Sequence, residues 1–348
     1  MASMFTDKWA ILIGPTEYQH VTQLKYCDKD VIAVSDTLRQ NLEFPADHIL
    51  TFATGLKRKP IRDDIYHELG ELRQSGLVKP DDLLLFYFSG HGFRDKKDYL
   101  LPTGATPLNL KLTGIEVEDL VSQLTATGCK NVVMFVDACR EVIDGARGST
   151  SIGAETKEIV ERAGVVSFFA CDPEERSWEI DQLEHGSFTH CFLEAVKCRS
   201  CVTAEQVYDY LLRELPPLNA KYGKPPQRPY AVMQPVDKKS LPILTSTAIV
   251  LQSTRRLEGL ISQMGDLGLD WPREDDKYKY LDAAIEFLHD VKQREPSGED
   301  IRKLELIEQL CTKKVRSRTF TTLWEAIERR RGASDGSAKA TTGQVGLQ

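Results

Sequence analysis

What this sequence has little of narrows it first. No apolar run approaches the roughly 20 residues that span a bilayer. The opening Met1 to Lys8 also lacks the charged-then-apolar order of a secretory signal. The expectation is a soluble, cytoplasmic protein without a membrane partner. Positive charge is not in excess: 45 Lys and Arg stand against 52 Asp and Glu, a formal net charge of −7. Such a chain carries no basic blanket for a nucleic-acid backbone. Lys313, Lys314, Arg316 and Arg318, with Arg329 to Arg331, read as solvated cations near helix ends rather than as a nucleic-acid site. Cysteine is sparse, eight in 348 residues, with no framework spacing, which fits free thiols in a reducing compartment. Cys198 and Cys201 form a Cys-x-x-Cys, but no second ligand pair matches it, so no zinc site is expected. Phosphate chemistry lacks its signatures too. Asp95 stands where a dinucleotide-binding loop beginning at Gly90 needs glycine, and Gly145 stands where a phosphatase loop beginning at Cys139 needs arginine.

What is present is an alternation. From Lys8 to about Met233, short β-branched or aromatic runs are followed by segments of helical period, the pattern of an α/β fold with a mostly parallel sheet between helices. Strands are expected at Trp9 to Gly14, Ile49 to Ala53, Leu83 to Ser89, Asn131 to Asp137, Val165 to Cys171 and Tyr230 to Met233. Helices are expected at Lys29 to Leu42, Ile61 to Ser75, Ile115 to Thr127 and Thr203 to Leu215. Glu141 to Glu155, rich in Gly, Ser and Thr, reads as a long loop. The composition then changes to helix formers, near Thr247 to Met264, Lys277 to Arg294, Glu299 to Lys313 and Thr321 to Arg331. Three regions follow: 1–242, an α/β domain; 243–331, a small all-α module; and 332–348, a Gly, Ala, Ser and Thr tail expected to be disordered.

Two expected strands end unusually. Leu83 to Phe88 runs into Ser89-Gly90-His91-Gly92, and Val132 to Val136 runs into Asp137-Ala138-Cys139-Arg140. In a parallel sheet both endings fall on the carboxyl edge, where ligands and reacting groups of open α/β sheets gather. A thiol becomes a strong nucleophile as the thiolate, and an imidazole can take its proton, so Cys139 and His91 are the candidate nucleophile and base. The glycines beside His91 let the backbone approach a substrate. The N–H of Gly92, with that of Cys139, is a candidate donor to the oxyanion of a tetrahedral intermediate. Taken singly, His91 could merely sit in a glycine turn and Cys139 fill space. Their pairing at two matched strand ends favours chemistry.

The segments Phe86-Tyr87-Phe88-Ser89-Gly90-His91-Gly92 and Val136-Asp137-Ala138-Cys139-Arg140 resemble the two motifs of the caspase and metacaspase superfamily, with His91 and Cys139 48 positions apart. Tyr99-Leu100-Leu101-Pro102 and His185-Gly186-Ser187-Phe188-Thr189 are similar to elements of bacterial metacaspase-like proteases, often called orthocaspases. The resemblance covers about the first 240 residues. It implies a caspase-like sheet and a cysteine endopeptidase working through a Cys-His dyad.

Asp137 departs from the caspase pattern, in which a neutral glutamine helps to hold an aspartate side chain. A carboxylate there favours a cationic Arg or Lys before the scissile bond, because a desolvated cation needs an opposite charge and acceptors. Metacaspases show that preference, and the resemblance places Cys27, Asp30 and Ser89 in the same pocket. Alone, Asp30 could be a helix N-terminal acid and Asp137 a cap at a strand end. The expected partners are proteins with exposed Arg or Lys sites. Arg140 and Arg147 are candidate cleavage sites, for self-processing or for an activating protease, and 243–331 is a candidate surface for an activating partner. The residues alone require no cofactor. Many metacaspases need calcium, for which Asp95, Asp98, Asp144 and Asp172 are candidate contributors without diagnostic spacing. The competing class is a catalytically silent caspase-like scaffold that recruits partners through its helical module. An assay with an Arg-ended peptide separates the two.

Overall fold

Strand β1 (Lys8–Gly14) is buried along all but its first residue, as a strand covered on both faces of a parallel sheet must be. The computed structural model describes residues 5–140, 154–172, 175–197 and 201–243, the backbone alone at Cys139, Arg140 and Ala154, and single positions Phe287, Asp290, Lys303 and Leu306. The chain divides into two units, Ser3–Leu244 and Thr245–Gln348, the latter grouped with Met1–Ala2.

In the first unit, β1 is followed by α1 (Cys27–Asn41), β2 (Ile49–Ala53), α2 (Arg62–Ser75) and β3 (Leu83–Arg94). A return strand β4 (Asp98–Leu100), a short α3 (Leu110–Thr113), β5 (Ile115–Glu116) and α4 (Val117–Thr125) lead to β6 (Asn131–Arg140). Then come α5 (Ala154–Ala163), β7 (Val166–Phe169), the hairpin β8 (Glu179–Ile180) and β9 (His185–Gly186), α6 (Ser187–Lys197), α7 (Ala204–Lys221) and β10 (Tyr230–Val232). The main sheet runs β10-β7-β6-β3-β1-β2, with β4 on β3 and β5 on β4. Its pairs β1·β2, β1·β3, β3·β6 and β6·β7 are parallel, while β10 and β4 pair antiparallel. The class is α/β, a mostly parallel sheet between helices.

Alternation along the strands sorts the core. Leu84, Phe86, Phe88, Val132 and Met134 pack with α2, α4 and α5 through Ile65, Leu69, Leu120, Leu124 and Val160. On the other face Phe135 stacks on Phe168 at 4.5 Å and meets Phe192 of α6 at 4.3 Å. Tyr87 lies against the same Phe192. Helix α1 packs against α6 and β1 on this side.

Several expected boundaries need correction, each for a tertiary reason. Strands β3 and β6 do not stop at Ser89 and Asp137. They pair on through Gly92 and Arg140, and β3 is also held by β4 from Gly92 to Arg94. His91 and Cys139 are therefore ladder residues near the strand ends, not loop residues beyond them. The segment expected as one helix from Ile115 opens with β5, because Ile115 and Glu116 pair with Leu100 and Tyr99. The segment from Val165 to Cys171 supplies only a four-residue strand. Helix α7 continues past Leu215 through Pro216 and Pro217. The carbonyls that these prolines release belong to Leu212 and Arg213, which are exposed, so water can satisfy them. Helix α6 is not among the expected helices: eight of its eleven residues are buried, and only His190, Glu194 and Lys197 form a narrow polar stripe. Helix α5 begins inside the expected long loop, whose residues 141–153 lie outside the described ones. The four segments expected after 243 lie outside them as well, except that Phe287, Asp290, Lys303 and Leu306 are helical, with the Lys303 ammonium 5.1 Å over the Phe287 ring. The tail 332–348 also lies outside.

Candidate active site

The ladder between β3 and β6 sets His91 opposite Cys139 and, two residues earlier, Ser89 opposite Asp137. Two residues of strand amount to about 7 Å. His91 is 2% exposed, and three groups fix it. Its Nε2 donates to the Thr22 carbonyl at 2.8 Å, which in the neutral ring makes Nδ1 the basic nitrogen. Its backbone N–H donates to the Tyr18 hydroxyl at 3.1 Å, and that hydroxyl donates to the Leu101 carbonyl at 3.2 Å. The Tyr18 ring leans on the imidazole at 4.7 Å between centroids. Gly90 is required here, since a Cβ would stand 2.7 Å from the Phe88 ring and 2.8 Å from the Tyr18 hydroxyl. Gly92 lies in the ladder between Leu100 and Arg140. Cys139 is described as a backbone position in that ladder. Arg140 pairs with Gly92, and Arg147 lies outside the described residues.

Asp30 and Asp137 are 1% and 3% exposed. Asp30, in the first turn of α1, accepts from the Ser89 hydroxyl at 2.8 Å, from His185 Nδ1 at 2.8 Å and from the Gly186 N–H at 3.2 Å. Asp137 accepts from the Ser177 hydroxyl at 2.5 Å and from the Thr189 hydroxyl and N–H at 2.7 and 3.3 Å. The Thr189 hydroxyl also meets the buried Tyr87 hydroxyl. The two carboxylates converge on Gly186. A Cβ there would lie 2.6 Å from Asp137 Oδ2 and 3.2 Å from Asp30 Oδ2. Burial pushes the Asp137 carboxyl up to about 7, the nearby Asp30 charge pushes the same way, and the Ser177 and Thr189 hydrogen bonds oppose both. Cys27 is buried one helical turn ahead of Asp30, with its carbonyl against Gly14.

The β8–β9 hairpin packs against α1 through β9. Glu179 accepts from the Lys25 and Tyr26 N–H groups at 2.9 and 2.8 Å, which caps the approach to α1, and burial raises its pKa. His185 and Gly186 then reach Asp30. Of the four residues expected to form one pocket, Asp30 and Ser89 are in direct contact, and Asp137 joins Asp30 at Gly186. Cys27 borders them through the helix. His185, Gly186 and Thr189 fall within a quoted motif but had no pocket role. Ser177, Gln227, Tyr18 and Thr22 had no sequence signal, since only tertiary contact brings them in. Asp98 accepts from the Thr156 N–H and hydroxyl at 3.1 and 2.6 Å, a helix-capping role. Among the described residues, no group of three or more His, Cys, Asp or Glu side chains is placed to hold a metal ion. Asp144 lies outside them. No helix among the described residues is long and apolar enough to cross a membrane.

His91 and Cys139 thus stand opposite each other on neighbouring strands, two residues along from Ser89 and Asp137. The Caspase domain family model matches residues 7–250, and the chain belongs to that family, whose members are generally cysteine peptidases. Metacaspase-9 of Arabidopsis thaliana is 25% identical over 171 residues, a match covering 45% of this chain and 52% of that protein. The chain thus spans about half the length of that curated relative. Among solved structures, protein GSU0716 from Geobacter sulfurreducens aligns with a TM-score of 0.47 at 14% identity, covering 69% of this chain and 99% of the other. Caspase-1 from Spodoptera frugiperda aligns with a TM-score of 0.45 at 14% identity, covering 70% and 90%.

Proposed function

We propose that this chain is a cysteine endopeptidase that cuts peptide bonds after arginine, and less readily after lysine. The carrying observation is the pair of buried carboxylates meeting at Gly186, of which Asp137 lies two residues along the ladder from the His91 and Cys139 positions. A separation of about 7 Å along the strands matches the reach from a scissile carbonyl to the end of a long cationic side chain. Ionised carboxylates are acceptors only, so the pocket selects donors, and a planar guanidinium can engage two carboxylates at once where an ammonium is a point charge.

In this reading His91 Nδ1 takes the Cys139 proton and the sulfur attacks the carbonyl carbon. The N–H groups of Gly92 and Cys139 receive the oxyanion. The imidazolium then protonates the leaving amine, which departs to leave a thioester. Water, deprotonated by the same imidazole, hydrolyses that thioester and restores the thiol. Proteins with exposed Arg or Lys sites are the substrates. Arg140 and Arg147 are the sites of self-cleavage or activation, and 243–331 is the surface for an activating partner in the cytoplasm.

The test is hydrolysis of fluorogenic peptides ending in Arg, Lys or Asp, with and without calcium, by wild type and Cys139→Ala. Release from the Arg peptide, lost in the variant, is the expected result. Preference for the Asp peptide, or undiminished release by Cys139→Ala, overturns the proposal. Mass mapping of the same two proteins reads self-processing, with cuts after Arg140 or Arg147 expected in wild type alone.

A further inference from the structure

Gln227, outside every motif and fully buried, uses all four hydrogen-bonding positions of its amide. Its Nε2 donates to the Ala170 carbonyl at 2.8 Å and to the Ser177 hydroxyl at 3.2 Å. Its Oε1 accepts from the Ser187 hydroxyl at 2.8 Å and from Asn219 Nδ2 at 2.9 Å. The Ala170 carbonyl can only accept, which fixes which end of the amide is nitrogen. Ser177 immediately precedes the stretch Trp178 to Gly186, and Ser187 immediately follows it. Gln227 therefore clasps both stems of the β8–β9 hairpin.

Each stem leads to one carboxylate. Ser177 donates to Asp137, and His185 and Gly186, next to Ser187, donate to Asp30. The clasp also sets proton direction: because Nε2–H points at the Ser177 oxygen, the single Ser177 hydrogen is directed to Asp137. We infer that Gln227 is a positioning residue for the cation pocket, fixing the spacing of Asp30 and Asp137 and orienting the Ser177 hydroxyl that favours the ionised form of Asp137. This inference rests on the pocket reading above and extends it to a residue that touches neither carboxylate.

Removing the Nε2–H lets the Ser177 hydroxyl turn away, and Asp137 then loses a donor to its charged form. A hydrogen bond to a charged group is worth enough to change a binding constant by about tenfold. The experiment uses the full chain as wild type, Gln227→Met, Gln227→Glu and Ser177→Ala, with kcat and KM for the Arg-ended peptide measured from pH 5.5 to 9. For Gln227→Met and Ser177→Ala, KM is expected to rise about tenfold near neutral pH with its acid limb moved to higher pH, while kcat at alkaline pH stays within about twofold. Gln227→Glu adds a third buried acid and moves that limb further.

Wild type is read first. No preference for Arg over Asp peptides overturns the pocket reading and this inference with it. A wild type that prefers Arg, with variants that keep its KM and pH profile, overturns the Gln227 inference alone. A fall in kcat with unchanged KM also overturns it, because loss of general order then explains the effect. Thermal melts are run alongside. Where Gln227→Met does not fold, Ser177→Ala, a smaller truncation of the same arm, decides by the same criteria.

Discussion

Gly186→Ala is the most direct probe of the acid pair. The added Cβ would sit 2.6 Å from Asp137 Oδ2, 3.5 Å from its Cγ and 3.2 Å from Asp30 Oδ2, where non-bonded atoms rest at about 3.5 Å or more. Asp137 cannot easily yield, because Asp137 is paired to Ser89 in the ladder and its Oδ2 is held by Thr189. Turning the carboxylate aside forfeits a charge-assisted bond, worth about 1.5–3 kcal/mol. Forcing its side chain off a staggered rotamer adds about 0.5–1.5 kcal/mol, for a total on the order of 2–4 kcal/mol. For a unit of this size each kcal/mol lowers Tm by about 2–4 °C, so differential scanning calorimetry should show a drop of roughly 5–15 °C. On the Arg-ended peptide, kcat/KM should fall at least about tenfold, mostly through KM, because a displaced carboxylate loses a charge-assisted contact to the guanidinium worth about 1.5 kcal/mol or more, and about 1.4 kcal/mol is a factor of ten. Gly70→Ala is the control. It lies in α2 with nothing within 4 Å of its added carbon, and should gain up to about 1 kcal/mol of stability. A Gly186→Ala protein with wild-type Tm and wild-type KM would refute the placement of the two carboxylates against this glycine.

The Asp137 carboxyl is held up to about 7 in the fold, whereas an unfolded chain releases that proton near ~3.9. Between those values the folded state binds more protons, so this group makes stability fall as pH rises from about 4 to about 7, by up to a few kcal/mol. Asp137→Asn should flatten that part of the pH profile in urea titrations, and an unchanged slope would count against the assignment. Ionisation through the same range should lower KM for the Arg-ended peptide as pH rises past about 7. A KM that stays flat from pH 6 to 8 contradicts the acidic pocket. Tyr18→Phe leaves the His91 N–H and the Leu101 carbonyl without that hydroxyl, costing about 1–3 kcal/mol. With the imidazole less firmly held, kcat should fall about tenfold while KM moves by less than about twofold, and unchanged kcat rejects Tyr18 as the holder of His91.

The pieces legible in the sequence are those written in local pattern. Continuous apolar runs marked β1, β3 and β6, and the polar residues closing two of them marked where His91, Cys139, Ser89 and Asp137 would lie. Pairing past the expected ends was invisible, because the ladder from Ser89 to Gly92 depends on β4 and β6 rather than on its own glycine-rich composition. Helix α6 was missed because its polar stripe is narrow, His190, Glu194 and Lys197 against eight buried residues. The supports of the acid pair were hidden for another reason. Ser177, Thr189 and Gln227 lie 40 to 90 positions from Asp137 and are ordinary polar residues until the chain folds. Gly186 and Thr189 left a trace, as residues of one motif, without saying that two carboxylates enclose the glycine or that the threonine holds one of them.

The His91 and Cys139 positions belong to the innermost pair of strands, with β1 and β2 on one side and β7 and β10 on the other. The β3–β6 ladder that carries them should come apart only when the whole sheet opens. The hairpin that holds Asp30 through His185 and Gly186 has only two-residue strands, which puts it at the shallow end of the same stability scale. As the peptidase proposed above, a stressed molecule should therefore grow indiscriminate before it grows inert, choosing its substrates less well while the spacing of His91 and Cys139 persists.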